Sequence, residues 1–153
     1  MNYLLKLKKK MDGYPLGKKM FSYAVARKAP YFLTIKPSID RLEHNYIEVS
    51  MKKRRAVHNH IGTVHAIACC NLCEFAAGIC MEASIPKHRR WIPAGMDVKY
   101  LKKASTDLTA SCDLSDIDWD HCDHALCKVN VKDLSGNVVV YAEINMKVSD
   151  RKK

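Results

Sequence analysis

The sequence predicts an α+β fold in which an antiparallel sheet curls around one long buried helix. Three observations carry that expectation. Residues 63–83 read as a single helix with apolar side chains almost all the way round, Ala66, Ile67, Cys69, Leu72, Phe75, Ile79 and Met81 among them, and a helix without a polar face is a buried one. Two strand-like stretches precede it and four follow. Ser135-Gly136-Asn137 is a clear hairpin turn between two of those later stretches. A chain of 153 residues with 48% hydrophobic content is long enough for one domain with a real core.

Taken in order, residues 1–11 form a short basic helical segment broken by Gly13 and Pro15, and residues 17–29 a second helix stopped by Pro30. Residues 31–42 and 46–54 are expected to pair as strands, with Pro37 marking an edge or bulge. The long helix comes next, ended by Ser84-Ile85-Pro86. Strands are then expected over residues 90–104, with Met96, Val98 and Tyr100 or their neighbours inward, and over 106–114, 125–134 and 137–148. An acidic loop covers residues 116–123. The helix could just span a bilayer by length. Asn71 and Glu74 in its middle, and its many small residues, argue against a span, and no membrane partner is expected.

The net charge is +10. Lysines 6, 8, 9 and 10, the run at 52–55, and Arg151, Lys152 and Lys153 supply much of it. Such a balance favours anionic partners: nucleic acid, anionic lipid, or a phosphorylated cofactor such as coenzyme A. No aromatic–basic interleaving marks a single-strand binding platform, and a nucleic-acid partner is not expected. The start of the chain lacks the apolar core of a signal peptide. Seven cysteines, four of them on the long helix, suggest reduced thiols in a cytoplasmic compartment rather than a disulfide framework.

The segment between the second strand and the long helix carries Asn59, Gly62, Thr63 and His65, followed nine residues later by Glu74. This N-x-x-G-T-x-H pattern leading into a helix with an acid resembles the hotdog-fold acyl-CoA thioesterases. The phenylacetate-pathway and THEM-like type is the nearest, with an uncharacterised hotdog branch alongside. Met96-x-x-x-Tyr100-Leu101 in the following strand fits the same resemblance. It covers residues 31–150 as a hotdog domain and leaves residues 1–30 as an N-terminal basic helical segment. It implies an acyl-CoA substrate, coenzyme A only as part of that substrate, no cofactor or metal, and a homodimer or homotetramer. Where the family usually has two glycines after the histidine, this chain has Ala66 and Ile67. Alanine keeps the backbone N–H that would meet the thioester carbonyl. Isoleucine fills space that a substrate or a packed helix would otherwise use.

Glu74 carries most of the chemistry, because a carboxylate in a buried helix costs several kcal/mol unless paired or used. Nine residues place it about 14 Å along the helix from His65 and on the opposite face, so the two cannot cooperate within one chain. The resemblance implies a site across a two-fold axis. Glu74 would be general base or nucleophile, Ala66 an oxyanion donor, Asn59 an orienting amide, and Gly62, Thr63, His65 and Ile67 substrate contacts. Thr63 is the expected helix cap, and His65 is expected to hold the loop. Lys99, Lys102, Lys103, Arg89 and Arg90 are candidates for coenzyme A phosphates. Cys70-x-x-Cys73, the pair His58 and His60, and the His121, Cys122, His124, Cys127 group are read as packing or loop residues, not metal ligands. Two other classes stay open: a non-catalytic acyl- or acyl-CoA-binding protein, which Ile67 favours, and a basic nucleic-acid-binding module.

Overall fold

In the computed structural model, which describes residues 2–151, the elements run α1 (Tyr3–Asp12), α2 (Gly17–Lys28), a 3-10 turn (Pro30–Thr34), β1 (Ser38–Glu43), β2 (Tyr46–Met51), a second short turn (Arg55–Val57), α3 (Ala66–Ser84), β3 (Arg89–Tyr100), β4 (Leu108–Asp113), β5 (His124–Lys132) and β6 (Val138–Asp150). Lys152 and Lys153 of the basic C-terminal run lie outside the described residues. The six strands form one sheet in the order β1-β2-β4-β5-β6-β3, each pair of neighbours antiparallel. The sheet wraps α3. Leu72, Cys73, Phe75, Ala76 and Ala77 of the helix are fully buried, together with Ile47, Val49, Ala110, Val129 and Ala142 of the strands. Small residues on α3 let the strands approach closely. Gly78 is one such place: a Cβ there would lie 3.1 Å from Trp91 of β3.

The N-terminal helices join this core. Phe21, Val25 and Ala26 of α2 are buried in the same cluster. The Ser22 hydroxyl accepts a hydrogen bond from the Ile39 amide at 2.8 Å, tying α2 to β1.

Four local expectations need correction. Residues 31–42 are not a continuous strand. Pro30 opens a 3-10 turn, Thr34 Oγ1 donates to the Tyr31 carbonyl at 2.7 Å, and only Ser38–Glu43 is extended. Residues 90–104 turn only Trp91, Val98 and Ala104 toward the core. β3 is an edge strand, and Ile92, Met96 and Tyr100 are all exposed. α3 is not apolar and enclosed on every side either, since Ile67 and Glu82 are exposed and Glu74 is half-buried. Arg89 is not a free surface cation. It is buried, donates to the Trp119 carbonyl at 2.8 Å and faces Asp150 and Asp123.

Candidate functional site

The loop ahead of α3 is built by Asn59. Its Oδ1 accepts from the amides of Ile61 and Thr63 at 3.1 and 3.0 Å, and its Nδ2 donates to Thr63 Oγ1 at 2.7 Å. Gly62 takes a positive φ of 77° to close the turn, a conformation that glycine adopts without steric cost. The Val64 amide donates to the Ala104 carbonyl and the His65 amide to the Val57 carbonyl, both at 2.8 Å. The loop is thereby pinned between its own start and the β3–β4 connection.

With its hydroxyl engaged by Asn59, Thr63 does not cap the helix. His65 does, its Nδ1 accepting from the Ile67 amide at 3.1 Å. That bond places the ring proton of a neutral His65 on Nε2. Among the described residues the Ala66 and Ala68 amides have no hydrogen-bond partner. Free amides at the positive end of a helix suit an anionic or carbonyl oxygen.

The expected site residues fall into three groups around α3. Asn59, Thr63 and Ala66 line a groove of about 330 Å³, with Tyr100, Lys102 and Lys103 on its other side. His65 and Ile67 line a cavity of about 240 Å³ with His58, Thr34 and Asn71. Glu74 lines a third cavity of about 370 Å³, mostly apolar, between α1, α2, the C-terminal half of α3 and β3. Gly62 lines none of the three and serves the loop.

Eight residues separate Ala66 from Glu74, a rise of about 12 Å, so within one chain the free amides and the acid stay apart. Glu74 makes no hydrogen bond or ion pair among the described residues. Its carboxylate is open to the cavity, whose walls are Phe32, Phe75, Ile79 and Trp91. The Trp91 ring is fixed by its Nε1 donating to Glu82 at 3.1 Å.

Sequence reasoning did not assign Asn71 or His58 to a cavity. Asn71 is 5% exposed. Its Nδ2 donates to Thr34 Oγ1 at 3.1 Å, while its Oδ1 and the His58 Nε2 are buried without partners. The signal for Asn71 was present: an amide on an apolar helix one turn before the acid.

Other nearby groups stay protonated. The Tyr100 hydroxyl is pushed up to about 12 by its hydrogen bond with Cys70 Sγ, 3.0 Å away, and by burial. Burial raises Cys69 to about 12 and pushes Cys73 up as well. All seven cysteines are free. Among the described residues no three His, Cys, Asp or Glu side chains come together as metal ligands. His121 pairs with Asp118 and His124 with Asn145 instead.

Comparison with known proteins places this geometry in a family. A crystal structure of a protein called genomics APC5556 is 42% identical, with a TM-score of 0.85 over 97% of this chain and 99% of that one. A Pseudomonas aeruginosa protein of unknown function, described as a probable thioesterase, superposes with a TM-score of 0.77 at 18% identity, over 90% of this chain and 97% of its own. A thioesterase family protein from Silicibacter pomeroyi does so with a TM-score of 0.73 at 13% identity, over 90% and 100%. The last two likenesses are of fold, and the fold is the hotdog. The search of curated proteins returns no match. The model of a domain of unknown function, DUF4442, matches residues 17–148, from the start of α2 to Val148 near the end of β6, and the chain belongs to that family.

Proposed function

We propose that the protein is an acyl-CoA thioesterase that hydrolyses R–CO–S–CoA to a carboxylic acid and the coenzyme A thiol. The observation that carries this reading is Glu74, an unpaired, half-buried carboxylate lining a cavity of about 370 Å³, within the size range of small-molecule sites. Glu74 takes a proton from water as the water oxygen attacks the thioester carbonyl carbon. The tetrahedral oxyanion is held by the Ala66 amide, and collapse expels the thiolate, which recovers the proton. Nucleophilic attack by Glu74 itself would pass through an anhydride to the same products.

The acid and the amide that serve one substrate belong to two copies of the chain. Among the described residues β3 pairs only with β6, and its outer edge is free. Exposed Ile92, Met96, Tyr100 and Leu101 lie on or beside it. An unpaired strand edge with an apolar surface calls for a partner, and a second β3 related by a two-fold axis supplies one. The protein would thus act as a homodimer, or as a homotetramer built from such dimers. Lys102 and Lys103, beside the groove that holds Asn59, Thr63 and Ala66, suit the phosphates of coenzyme A. Seven free thiols suit a cytoplasmic protein.

The test is turnover of a panel of acyl-CoAs, short to long and aromatic, by the wild type and by Glu74→Gln. Hydrolysis by the wild type, abolished in a folded Glu74→Gln variant, is the expected result. Saturable acyl-CoA binding with no turnover of any member would overturn the enzymatic reading in favour of a binding protein.

A further inference from the structure

The first 30 residues hold eight of the chain's 26 basic residues and one of its 16 acidic ones, a net +7 of the +10 total. They fold into the α1–α2 hairpin. Its tip, Tyr14-Pro15-Leu16, holds a large apolar residue where local rules favour glycine or a polar cap. Leu16 has φ 63°, a left-handed conformation that costs a branched aliphatic residue energy. It also occupies the cap position of α2 without a side-chain hydrogen bond, where a serine or aspartate would serve the helix. The first turn of α2 then carries Lys18 and Lys19 and no acid, against the helix dipole.

The tip is nonetheless rigid. The Tyr14 amide donates to the Met11 carbonyl and the Gly17 amide to the Tyr14 carbonyl, both at 3.0 Å. A Cβ on Gly17 would sit 1.7 Å from the Met11 oxygen, so only glycine lets the hairpin close this tightly.

The consequence is an exposed apolar tip between two basic helix ends. Tyr14 is 59% exposed, Leu16 67% and Met20 60%. Lys9 and Lys10 lie in the last turn of α1 and Lys18 and Lys19 in the first turn of α2, so both helix ends that meet at the tip are basic. Asp12 is paired with Lys8 and Lys18 with Asp40, while Lys9, Lys10 and Lys19 make no ion pair among the described residues. Tyr23 and Arg27 continue the same outward face of α2. Apolar side chains that enter the acyl boundary, flanked by cations at headgroup level, are the pattern of a protein that lies on an anionic lipid surface.

We propose that the α1–α2 hairpin docks the protein on anionic bilayers, with Tyr14 and Leu16 inserted and the lysines on the headgroups. The inference departs from the expectation of no membrane partner and does not depend on thioesterase activity. It gives the Glu74 cavity a direction, because Tyr3, Leu4, Val25 and Lys28 of the same hairpin form one of its walls. An acidic protein or a nucleic acid would meet the lysines but would not need a strained leucine at the tip.

The experiment is flotation of the full chain with vesicles of phosphatidylcholine alone and with phosphatidylglycerol added. Wild type, Leu16→Gly and the double variant Lys9→Gln/Lys19→Gln are compared, each with its thermal unfolding midpoint. The expected result is binding only to the phosphatidylglycerol vesicles, weakened by salt. Each removed lysine should weaken it about fivefold. Leu16→Gly should bind less while unfolding no earlier than wild type, because glycine relieves the left-handed backbone. No flotation with anionic vesicles would overturn the proposal. So would flotation unchanged by Leu16→Gly, and so would equally tight, Leu16-independent binding to single-stranded RNA, which would assign the face to a polyanion instead.

Discussion

Ala66→Pro removes one amide hydrogen from the start of α3 and leaves the helix geometry nearly untouched. Proline is favoured at the first helical position. His65 ahead of it already has φ −63° and ψ 139°, the extended conformation that a residue before proline requires. If that amide holds the oxyanion, its loss should slow hydrolysis about 100- to 1,000-fold. Glu74→Gln, which removes the base, should slow it about 100- to 10,000-fold. The two variants also test where the parts of one site reside. When the chains are co-expressed with different tags and pair at random, half of the dimers are mixed. In each mixed dimer, a site shared between copies is doubly defective on one side and intact on the other. The population should recover about one quarter of wild-type activity, read as released thiol per chain from an acyl-CoA substrate. A preparation in which both tags are captured together, yet activity stays at the level of either parent, would refute a site assembled from two copies.

Other outcomes follow from the packing and the charges. Ser22→Ala strands the buried Ile39 amide that donates to Ser22 Oγ at 2.8 Å, and should cost about 1–3 kcal/mol in denaturant unfolding. Gly78→Ala places a methyl 3.1 Å from Trp91, a ring that Glu82 holds in place. It should shift the substrate preference toward shorter acyl groups while the fold persists. A thiol-reactive dye at mildly alkaline pH should modify half-buried Cys70 and Cys122 first and leave the five buried cysteines until unfolding, since burial holds Cys69 near 12. Asp107, held below the usual carboxylate range by Lys52 Nζ and the Lys53 amide, joins β4 to the end of β2. Its folded value is depressed, so its contribution is present above the unfolded carboxylate value of about 4 and is lost as the pH falls through the folded value. Asp107→Asn should therefore flatten the acid limb of the stability profile.

The helix that anchors the fold was legible because its composition has one physical explanation. Thirteen apolar positions interrupted by Asn71 and Glu74 ask for a protein core rather than a bilayer, and the sheet supplies it. Strand β2 is legible in its pairing with the stretch before it, and β5 and β6 in the Ser135-Gly136-Asn137 turn that joins them. β3 misled. Its apolar residues alternate as they would over a core, yet only Trp91 and Val98 pack there, because at the edge of the sheet the strand runs past most of the helix that the inner strands cover. The helix cap was placed at Thr63 because threonine is a good cap. The structure spends that hydroxyl on Asn59, and a histidine takes the position. Glu74 was singled out by its cost, whereas its cavity could not be foreseen. The walls come from Leu4, Val25, Phe32 and Trp91, brought together by tertiary packing that no local pattern encodes.

The replacement of two glycines by Ala66 and Ile67 bears on which amide can serve the reaction. The Ile67 amide is committed to His65 Nδ1, so only Ala66 and Ala68 are free in the first turn. Two residues apart, they point about 200° from each other around the helix, and one carbonyl oxygen cannot meet both. Ala66 opens on the groove shared with Lys102 and Lys103. Ala68 opens on the cavity of Asn71 and His58. A substrate of the proposed kind, whose reacting carbonyl is tethered to phosphates, would therefore meet Ala66 beside Lys102 and Lys103. Ile67 stands 55% exposed on the other cavity and leaves that groove open. Isoleucine at the second place thus leaves the proposed donor and its approach in position, and alanine at the first place keeps the amide that the proposed hydrolysis would use.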